Sequence, residues 1–207
     1  MSPRKYDMSR RAAGAEQTRR RIIEATFQVH AEQGIADARL EDIARRAGVA
    51  TGTLYRHFPS YEGLVAACGE LTFSLLPPPS AETASAAFAG VRGRRRRLEQ
   101  LLDGLFGYYE LTGRMVELLR RDSGKLRAVD ETLSRLEAGF DVWVDEALEP
   151  LEGINRAFVR ALVDHRTWSA MVTQGVADPR TAVVELLECA TRRDALKRRS
   201  SSELHLT

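Results

Sequence analysis

The chain has 207 residues, 43% of them hydrophobic and 29% charged, with a formal net charge of +2, which is ordinary for a globular protein of one large domain or two small ones. It contains no apolar run near the roughly 20 residues of a membrane-spanning helix, no apolar leader after the basic start, and two distant cysteines that form no disulfide or zinc framework. We therefore expect a soluble cytoplasmic protein without a secretory signal or a membrane partner.

The positive charge is concentrated at one end of the chain. Residues 1–60 carry 11 Lys and Arg against 7 Asp and Glu, whereas residues 61–207 carry 20 against 22. A basic end on a near-neutral body indicates that this end faces a polyanion. If these cations contact phosphates, the affinity for the polyanion would fall steeply as the salt concentration rises.

Residues 1–16 are polar and show no sustained apolar face. We expect a flexible arm there, which is either a solvated tail or a contact with a DNA minor groove. From Gln17 apolar residues recur at helical spacing, which predicts a first helix, and Gly34 supplies its C-terminal stop. The cations of the arm are Arg4, Lys5, Arg10 and Arg11.

The segment LEDIARRAGVATGTLYRHF, residues 40–58, predicts two short helices joined by a turn. The first runs from about Leu40 to Ala47, and Gly48 permits the turn. The second spans roughly residues 51–57, with Leu54 and Phe58 spaced four apart and pointing inward. This is the pattern of a helix-turn-helix, whose second helix lies in the major groove of DNA.

The rest of the chain also reads as helical. Residues 61–76 predict a fourth helix, which three consecutive prolines end. Apolar stripes with spacings of three and four then run from Leu98 to Tyr109 and from Leu126 to Trp143.

Two further long helices are expected near residues 153–175 and 179–196, where Pro179 suits a first-turn position. The polar tail, residues 198–207, is expected to be disordered. No alternating stretch bounded by hairpin turns competes with this interpretation. The predicted fold class is all-α.

The segment from Thr18 to Leu64 resembles the TetR family of bacterial transcriptional regulators. The resemblance is carried by RRRIIEA at residues 19–25, IARRAGVATGTLYRHF at 43–58 and FPSYEGL at 58–64. The remaining residues match that family only in length and helical rhythm.

Four positions depart from the family pattern. No Ser or Thr precedes the second helix, so Asp37 is expected to cap it, and Ala50 replaces a capping serine before the third helix, where Thr51 either takes over the cap or leaves the helix frayed. Tyr61 replaces the usual lysine at the start of the fourth helix, which suggests the loss of a phosphate-binding cation. His30 replaces a common aromatic, and we expect a partly buried, hydrogen-bonded core residue.

The resemblance implies a three-helix helix-turn-helix DNA-binding domain over residues 17–60 and a larger helical ligand-binding and dimerisation domain over residues 61–197. It also implies a homodimer that pairs its last two helices as a four-helix bundle. The expected function is ligand-responsive regulation of transcription, as a repressor that binds a pseudo-palindromic operator and is released by a small molecule. The side-chain inventory favours an apolar or aromatic effector, and the sequence does not separate a repressor from an activator.

Candidate DNA contacts lie on the first three helices. Arg56 suits a bidentate contact with guanine, whereas the Tyr55 hydroxyl suits a phosphate. For any single arginine a solvated surface position is an equal alternative. The set is Arg19, Arg20, Arg45, Thr51, Thr53, Tyr55, Arg56 and His57.

Large side chains with polar tips in the second half of the chain could line an effector cavity, although each taken singly fits plain packing as well. They are Tyr108, Tyr109, Met115, Phe140, Trp143, His165, Trp168 and Met171. Asp164 precedes His165 directly and Asp141 lies earlier in the chain, but this spacing is not diagnostic of a metal site. We therefore expect no metal.

The run from Arg92 to Arg97 could be a second DNA patch, but we favour a solvated helix start that pairs with Glu82 or Glu99. The chain has no G-x-S-x-G, H-E-x-x-H, P-loop or dinucleotide glycine fingerprint, so we expect neither an enzyme nor a cofactor. Two other functions stay open at this point, an enzyme or carrier on a helical fold and a DNA-binding protein without an effector.

Overall fold

The computed structural model describes residues 8–149, 151 and 153–190, and throughout these residues the regular structure is helical without any strand. The predicted all-α fold class is confirmed. In the described residues, no helix combines the length and apolar character needed to cross a membrane. Residues 1–7 of the predicted arm and the predicted tail at 198–207 lie outside the described residues.

The helices follow one another along the chain with short connections. They are α1 (Met8–Gln33), α2 (Leu40–Ala47), α3 (Thr51–His57), α4 (Tyr61–Leu75), α5 (Ala81–Phe88), α6 (Arg94–Asp122), α7 (Arg127–Leu148), α8 (Arg156–Leu162), α9 (His165–Thr173) and α10 (residues 179–190).

Helix α1 begins at Met8, well before the predicted start at Gln17. The extra turns contain Ala12, Ala13 and Ala15, which are exposed. Alanine is the strongest helix former and needs no buried face, so it extends a helix that is already nucleated. Apolar periodicity could not reveal this segment because the segment has no apolar stripe.

Glycines end the first two helices as predicted. Gly34 has φ +102° and its N–H donates to the carbonyl of His30 at 2.8 Å. Gly48 has φ +65°, a left-handed conformation that closes α2.

The predicted cap by Asp37 is wrong. The N-cap of α2 is Arg39, whose side chain makes no capping hydrogen bond in the described structure. Asp37 lies instead 3.8 Å from the guanidinium of Arg121, two residues too early to reach the first turn of α2. The N-cap of α3 is Ala50, so Thr51 does not take over the cap and is the first residue of the helix.

The chain forms two compact units, and α6 and α7 each contribute to both. We call them the head, Met1–Pro77 with Glu117–Leu133, and the body, Pro78–Val116 with Ser134–Thr207. The core of the head combines buried residues of its first four helices. These are Ile22, Ile23, Ala25, Val29, Ile43, Ala44, Ala47, Leu54, Phe58, Leu64 and Cys68.

The predicted stripe from Leu98 to Tyr109 forms much of the core of the body. Its six apolar members, which recur every three or four residues on one face of α6, are at most 1% exposed. Phe140 and Val144 on α7 are fully buried in the same unit.

The long helix predicted near residues 153–175 is interrupted. The chain leaves the helical conformation at Asp164, with φ −66° and ψ 145°, between α8 and α9. The Asp164 carboxylate accepts a hydrogen bond of 2.9 Å from the N–H of Arg166 and so caps α9. The apolar spacing continues on both sides of the break, which is why the apolar periodicity predicted one helix instead of two.

The arginine run is solvated only in part. Arg95 is exposed and pairs with Glu99 at 2.8 Å, one of the two predicted partners. Arg97 is only 7% exposed, so the prediction of a solvated run is wrong for this residue. Its guanidinium donates to the carbonyls of Ala147 at 3.0 Å and of Glu146, in the last turn of α7, whose carbonyls have no partner within the helix.

Candidate nucleic-acid interface

Helix α3 is anchored by one face and exposed on the other. Leu54 is fully buried and Phe58 is 3% exposed, so both fix α3 on the head core. On the opposite side Tyr55 and Arg56 are exposed, with Tyr55 at 46%, and Thr53 is half-buried. The spacing of four between the two buried residues leaves these positions on the solvent side.

The backbone of α3 is also accessible from outside. A Cβ placed on Gly52 would meet no other atom of the described residues within 4 Å. Thr51 and His57, at the two ends of the helix, are half-buried. The outer side of α3 is therefore not covered by the described core of the protein.

Arginines of α1 and α2 frame this surface, but each has an intramolecular contact. The guanidinium carbon of Arg19 lies 4.4 Å from the centre of the Phe58 ring, next to the end of α3. Arg20 pairs with Glu24 at 2.8 Å, and Arg45 pairs with Asp42. The side chains of Arg20 and Arg45 remain 70% and 76% exposed, so both charges face solvent.

Arg46, the neighbour of Arg45, is held more firmly. Its two terminal nitrogens donate to the two carboxylate oxygens of Glu32 at 2.6 and 2.7 Å. This bidentate geometry fixes the guanidinium plane and joins α2 to the last part of α1. The hydrogen bond from Arg46 lowers the pKa of Glu32.

Behind the exposed surface, Tyr61 connects three elements of the head. Its hydroxyl donates to the carbonyl of Ile35, in the connection between α1 and α2, and lies 3.0 Å from Nε2 of His30. Tyr61 therefore has a structural role in the head. The replacement of the family's usual lysine by Tyr61 suggested only the loss of a phosphate-binding cation. No local sequence signal indicates the structural role, because the partners of Tyr61 are 26 and 31 residues away.

His30 is 2% exposed and hydrogen-bonded, which confirms the prediction for this residue. Burial lowers the pKa of His30 to about 4, although the nearby charge of Asp122 acts in the opposite direction. The imidazole is therefore neutral at physiological pH.

Five of the eight candidate effector residues come together in the body as a cluster of rings. The Tyr109 ring is central: its centre lies 5.3 Å from the centres of both Phe140 and His165, and 5.7 Å from that of Trp168. Tyr108 contacts the other side of the cluster, with its ring centre 6.0 Å from that of Phe140. We call these five residues the ring cluster.

Trp143 is directed elsewhere. Its indole N–H donates to the Thr83 hydroxyl at 3.1 Å, and its ring packs edge-to-face on Phe88 with 5.7 Å between ring centres. The two candidate methionines, Met115 and Met171, are half-buried. The effector contacts of all eight residues stay a prediction.

The acidic residues near His165 bind a cation of the protein itself. The Arg160 guanidinium donates to Asp141 at 2.9 Å, to Asp164 at 3.3 Å and to Glu137. Within the described part of the chain, no three or more His, Cys, Asp and Glu side chains form a group that could hold a metal ion.

Comparison with known proteins identifies the segment that contains α2 and α3. The family model for bacterial regulatory proteins of the tetR family matches residues 22–68. Residues 22–68 are thus a segment of the TetR type, which makes up less than a quarter of the chain. This confirms the resemblance on which the sequence analysis relied, and the match includes every candidate DNA contact of α2 and α3.

The relatives of this chain share that segment closely and the remainder only as a fold. SrpR, an HTH-type transcriptional regulator of Pseudomonas putida, is 55% identical over 47 residues, which are 23% of this chain and 22% of SrpR. The match thus spans about a fifth of the length of SrpR, and function of the whole chain does not transfer from it.

Two solved structures extend the likeness to most of the chain. The transcriptional regulator FadR from Bacillus subtilis, in complex with stearoyl-CoA, has 18% identity and a TM-score of 0.55 over 83% of this chain and 98% of FadR. NalD of Pseudomonas aeruginosa, the secondary repressor of the MexAB-OprM multidrug efflux pump, has 20% identity and a TM-score of 0.59 over 87% of this chain and 97% of NalD. At these identities the likeness shows that the fold is shared.

Proposed function

We propose that this protein is a homodimeric transcriptional regulator of the TetR type that binds a pseudo-palindromic operator in double-stranded DNA and is released by a small molecule. The observation that carries the proposal is the exposed outer face of α3, on a helix fixed by Leu54 and Phe58 within the family's matched segment. An exposed, rigidly held helix of this kind fits the major groove.

The side chains of α3 divide into two roles. Arg56 reads a base edge, since a guanidinium makes two parallel hydrogen bonds with guanine. Thr51 and Thr53 contact bases or phosphates at the start of the helix, while Tyr55 and His57 bind phosphates and fix the register. The exposed cations Arg20 and Arg45, together with the half-buried Arg19, add sequence-independent affinity for phosphates.

Dimerisation uses the last helices of the body. Large apolar side chains are exposed there: Phe158 at 40%, Val172 at 50%, Val176 at 38% and Leu186 at 48%. Burial of such residues against a second copy is favourable at about 25 cal/mol per Å² of apolar surface. A two-fold dimer presents two α3 helices to half-sites about 34 Å apart, or a multiple of that.

The effector is apolar or aromatic and binds at the ring cluster. The candidate residues combine apolar ring faces with polar tips, as ligand sites commonly do. FadR, which shares the fold, was crystallised with stearoyl-CoA, and this supports an effector with an apolar part. We expect the protein to act in the cytoplasm and to repress transcription in the absence of the effector.

The decisive experiment selects bound duplexes from a random pool with the full chain. We expect enrichment of one sequence with two inverted half-sites, and analytical ultracentrifugation should show two chains per duplex. If no sequence is enriched, the proposed binding to an operator is wrong. If each duplex binds a single chain, the proposed dimer is wrong. A panel of metabolites is then screened by thermal shift. We expect at least one apolar compound to stabilise the protein and to release the selected duplex.

A further inference from the structure

A groove lies open between α1 and α4, and all the residues that line it belong to the head. On α1 its wall contains Ile23 and Phe27, which are one helical turn apart. On α4 Leu71 and Leu75 have the same spacing and form the facing wall. None of the lining residues belongs to α3 or to the ring cluster. The groove is therefore separate from the candidate nucleic-acid interface and from the proposed effector site.

The groove has room for a small organic molecule. Its volume is about 260 Å³. An apolar protein cavity of about 150 Å³ already binds benzene, so this groove can hold a benzene-sized ring that carries a short alkyl chain.

Two apolar side chains of the groove are left incompletely covered. Phe27 is 42% exposed and Leu75 is 68% exposed. Apart from Tyr55 on α3, these are the large hydrophobic residues that the described part of the head exposes. An apolar ligand in the groove would remove surface of both residues from water, which favours binding.

The polar groups of the groove are satisfied within the protein. Among the lining residues only Glu24 is charged, and its carboxylate accepts from Arg20 at 2.8 Å. The Thr72 hydroxyl donates to the carbonyl of Cys68 at 2.9 Å. Burial raises the pKa of the Cys68 thiol to about 12, so this group is neutral at ordinary pH. An ion in the groove would lose hydration without gaining a counter-charge, which disfavours a charged ligand.

Gln28 supplies a hydrogen-bonding group at the edge of the groove. It is exposed, and its amide offers both donors and an acceptor to a hydroxyl or a carbonyl. We propose that the groove is a second ligand site, which binds an uncharged organic molecule with an apolar body and one hydrogen-bonding group. The ligand is complementary to the groove because neither carries a net charge.

A ligand bound in the groove would extend the core of the head. Ile23 and Cys68 belong both to the groove and to the buried core that contains Leu54 and Phe58. Because the groove exists only where α1 and α4 are packed together, the ligand binds the folded head and stabilises it by mass action. This stabilisation needs neither DNA nor the proposed effector.

The first experiment compares three probes that share a para-propylphenyl body and differ in charge. They are para-propylphenol, para-propylbenzoate and para-propylbenzylamine, which at neutral pH are uncharged, anionic and cationic. Each is titrated into the full chain, and binding is followed by the NMR shifts of the Leu71 and Leu75 methyl groups, which report this groove alone. We expect the phenol to bind at least about tenfold more tightly than either ion, since an ion would lose its hydration there.

The second experiment alters the groove and uses para-propylphenol as the probe. Thr72→Phe fills the groove from α4 and should abolish binding. Phe27→Ala removes part of the wall and should weaken binding at least about fivefold through lost apolar contact. Because Phe27 is exposed, this variant keeps the test available if Thr72→Phe does not fold. Leu111→Ala is the matched control, since it removes an exposed apolar side chain of the body and should leave the affinity unchanged.

A third variant separates the groove from the ring cluster. In Gly113→Ala the new Cβ lies 3.0 Å from Nε2 of His165 and 3.1 Å from Cζ3 of Trp168, so it disturbs the ring cluster. We expect the shifts of Leu71 and Leu75 on addition of para-propylphenol to be the same in this variant as in the parent.

Four results would overturn the inference. They are equal affinity of the charged probes, probe contacts at the ring cluster alone, unchanged affinity in Phe27→Ala, and a changed oligomeric state of Phe27→Ala without any probe. The last result, measured by analytical ultracentrifugation, would show that a second copy of the chain covers the groove. Failure of the proposed function is separate, because none of these measurements uses DNA.

Discussion

The guanidinium of Arg19 stacks on the ring of Phe58, with 4.4 Å between the guanidinium carbon and the ring centre. Phe58 is the C-cap residue of α3, and it is 3% exposed. A cation from the middle of α1 is thus held at a defined place beside α3. A stacked guanidinium of this kind loses less freedom on binding a phosphate than a side chain that moves freely in solvent.

Arg19→Ala should weaken binding to all duplexes by a similar factor, because a phosphate contact carries no sequence information. The slope of log K against log salt concentration should decrease by about 0.9. Arg19→Lys should keep the slope but not the full affinity, since lysine retains the charge and loses the planar stack. Fluorescence anisotropy at several salt concentrations measures both quantities, with Arg96→Ala in the body as the charge-matched control. A sequence-dependent loss in Arg19→Ala would contradict this role.

Arg56→Ala and Tyr55→Phe should differ in kind. The arginine variant should lose about 1–3 kcal/mol of discrimination at one base pair of each half-site, whereas the tyrosine variant should bind all sequences more weakly by one factor. Repeating the duplex selection with each variant and comparing base preferences at each position measures the difference. Equal profiles for the two variants would show that the division of roles is wrong.

The stability of the head should depend on pH through His30. Its pKa is about 4 in the folded protein against 6.5 for the ordinary side chain, so between these values the unfolded state binds a proton that the folded state does not. Stability contributed by the neutral imidazole is complete above pH 6.5, falls as the pH drops towards 4, and levels off below. Between pH 7.5 and pH 5 we expect a loss of about 2 kcal/mol from this residue.

His30→Phe should remove that part of the pH dependence, whatever its effect on stability at pH 7.5. Denaturant unfolding of both proteins at several pH values measures it. Asp122 does not confuse the comparison, because its lowered pKa places its own contribution below about pH 4. Identical pH profiles for the two proteins would contradict the assignment to His30.

Two glycines of α6 should respond in opposite ways to alanine. A Cβ at Gly104 would overlap the Trp143 ring, with Cη2 at 2.6 Å, so Gly104→Ala should destabilise the body by about 1–3 kcal/mol. A Cβ at Gly107 meets no described atom within 4 Å, so Gly107→Ala should stabilise by about 0.5–1 kcal/mol through helix propensity. Chemical denaturation measures the change in the free energy of unfolding of each variant. A Gly104→Ala variant as stable as the parent would show that the Trp143 ring moves aside without cost.

Arg97→Met should be strongly destabilising although it replaces a charge by an apolar side chain of similar length. It removes donors from the carbonyls of Val91, Glu146 and Ala147, and hydrogen bonds to charged groups are worth about 1.5–3 kcal/mol each. We expect a loss of at least about 3 kcal/mol in the free energy of unfolding. Arg96→Met, one residue earlier and exposed, should stay within about 0.5 kcal/mol of the parent, and equal losses would contradict the buried role of Arg97.

The helix-turn-helix could be predicted from sequence because its determinants are local. Gly48 must adopt a left-handed conformation, and Leu54 and Phe58 are one helical turn apart, so residues 40–58 by themselves contain the signals for both helices and for the exposed face of α3. The same holds for the stripe of α6, in which spacing alone indicates the buried side.

Long-range polar contacts could not be predicted in this way. Asp122 binds amides 87 and 86 positions away, and nothing near it distinguishes it from a solvated aspartate at a helix end. Arg97 looks like its exposed neighbours in sequence and differs only because the end of α7 lies beside it. The break at Asp164 was missed since a single capping residue interrupts an apolar pattern that continues on both sides.

The open space over Gly52 leaves the residue at position 52 free to change. The core makes no demand on the residue at that position, and any other amino acid except proline would favour the helix more than glycine does. Substitutions at this site can therefore add a new side chain to the outer face of α3 without loss of folding stability. Under the proposed function, single substitutions at residue 52 would change which duplexes the protein binds, while the rest of the molecule stays unaltered.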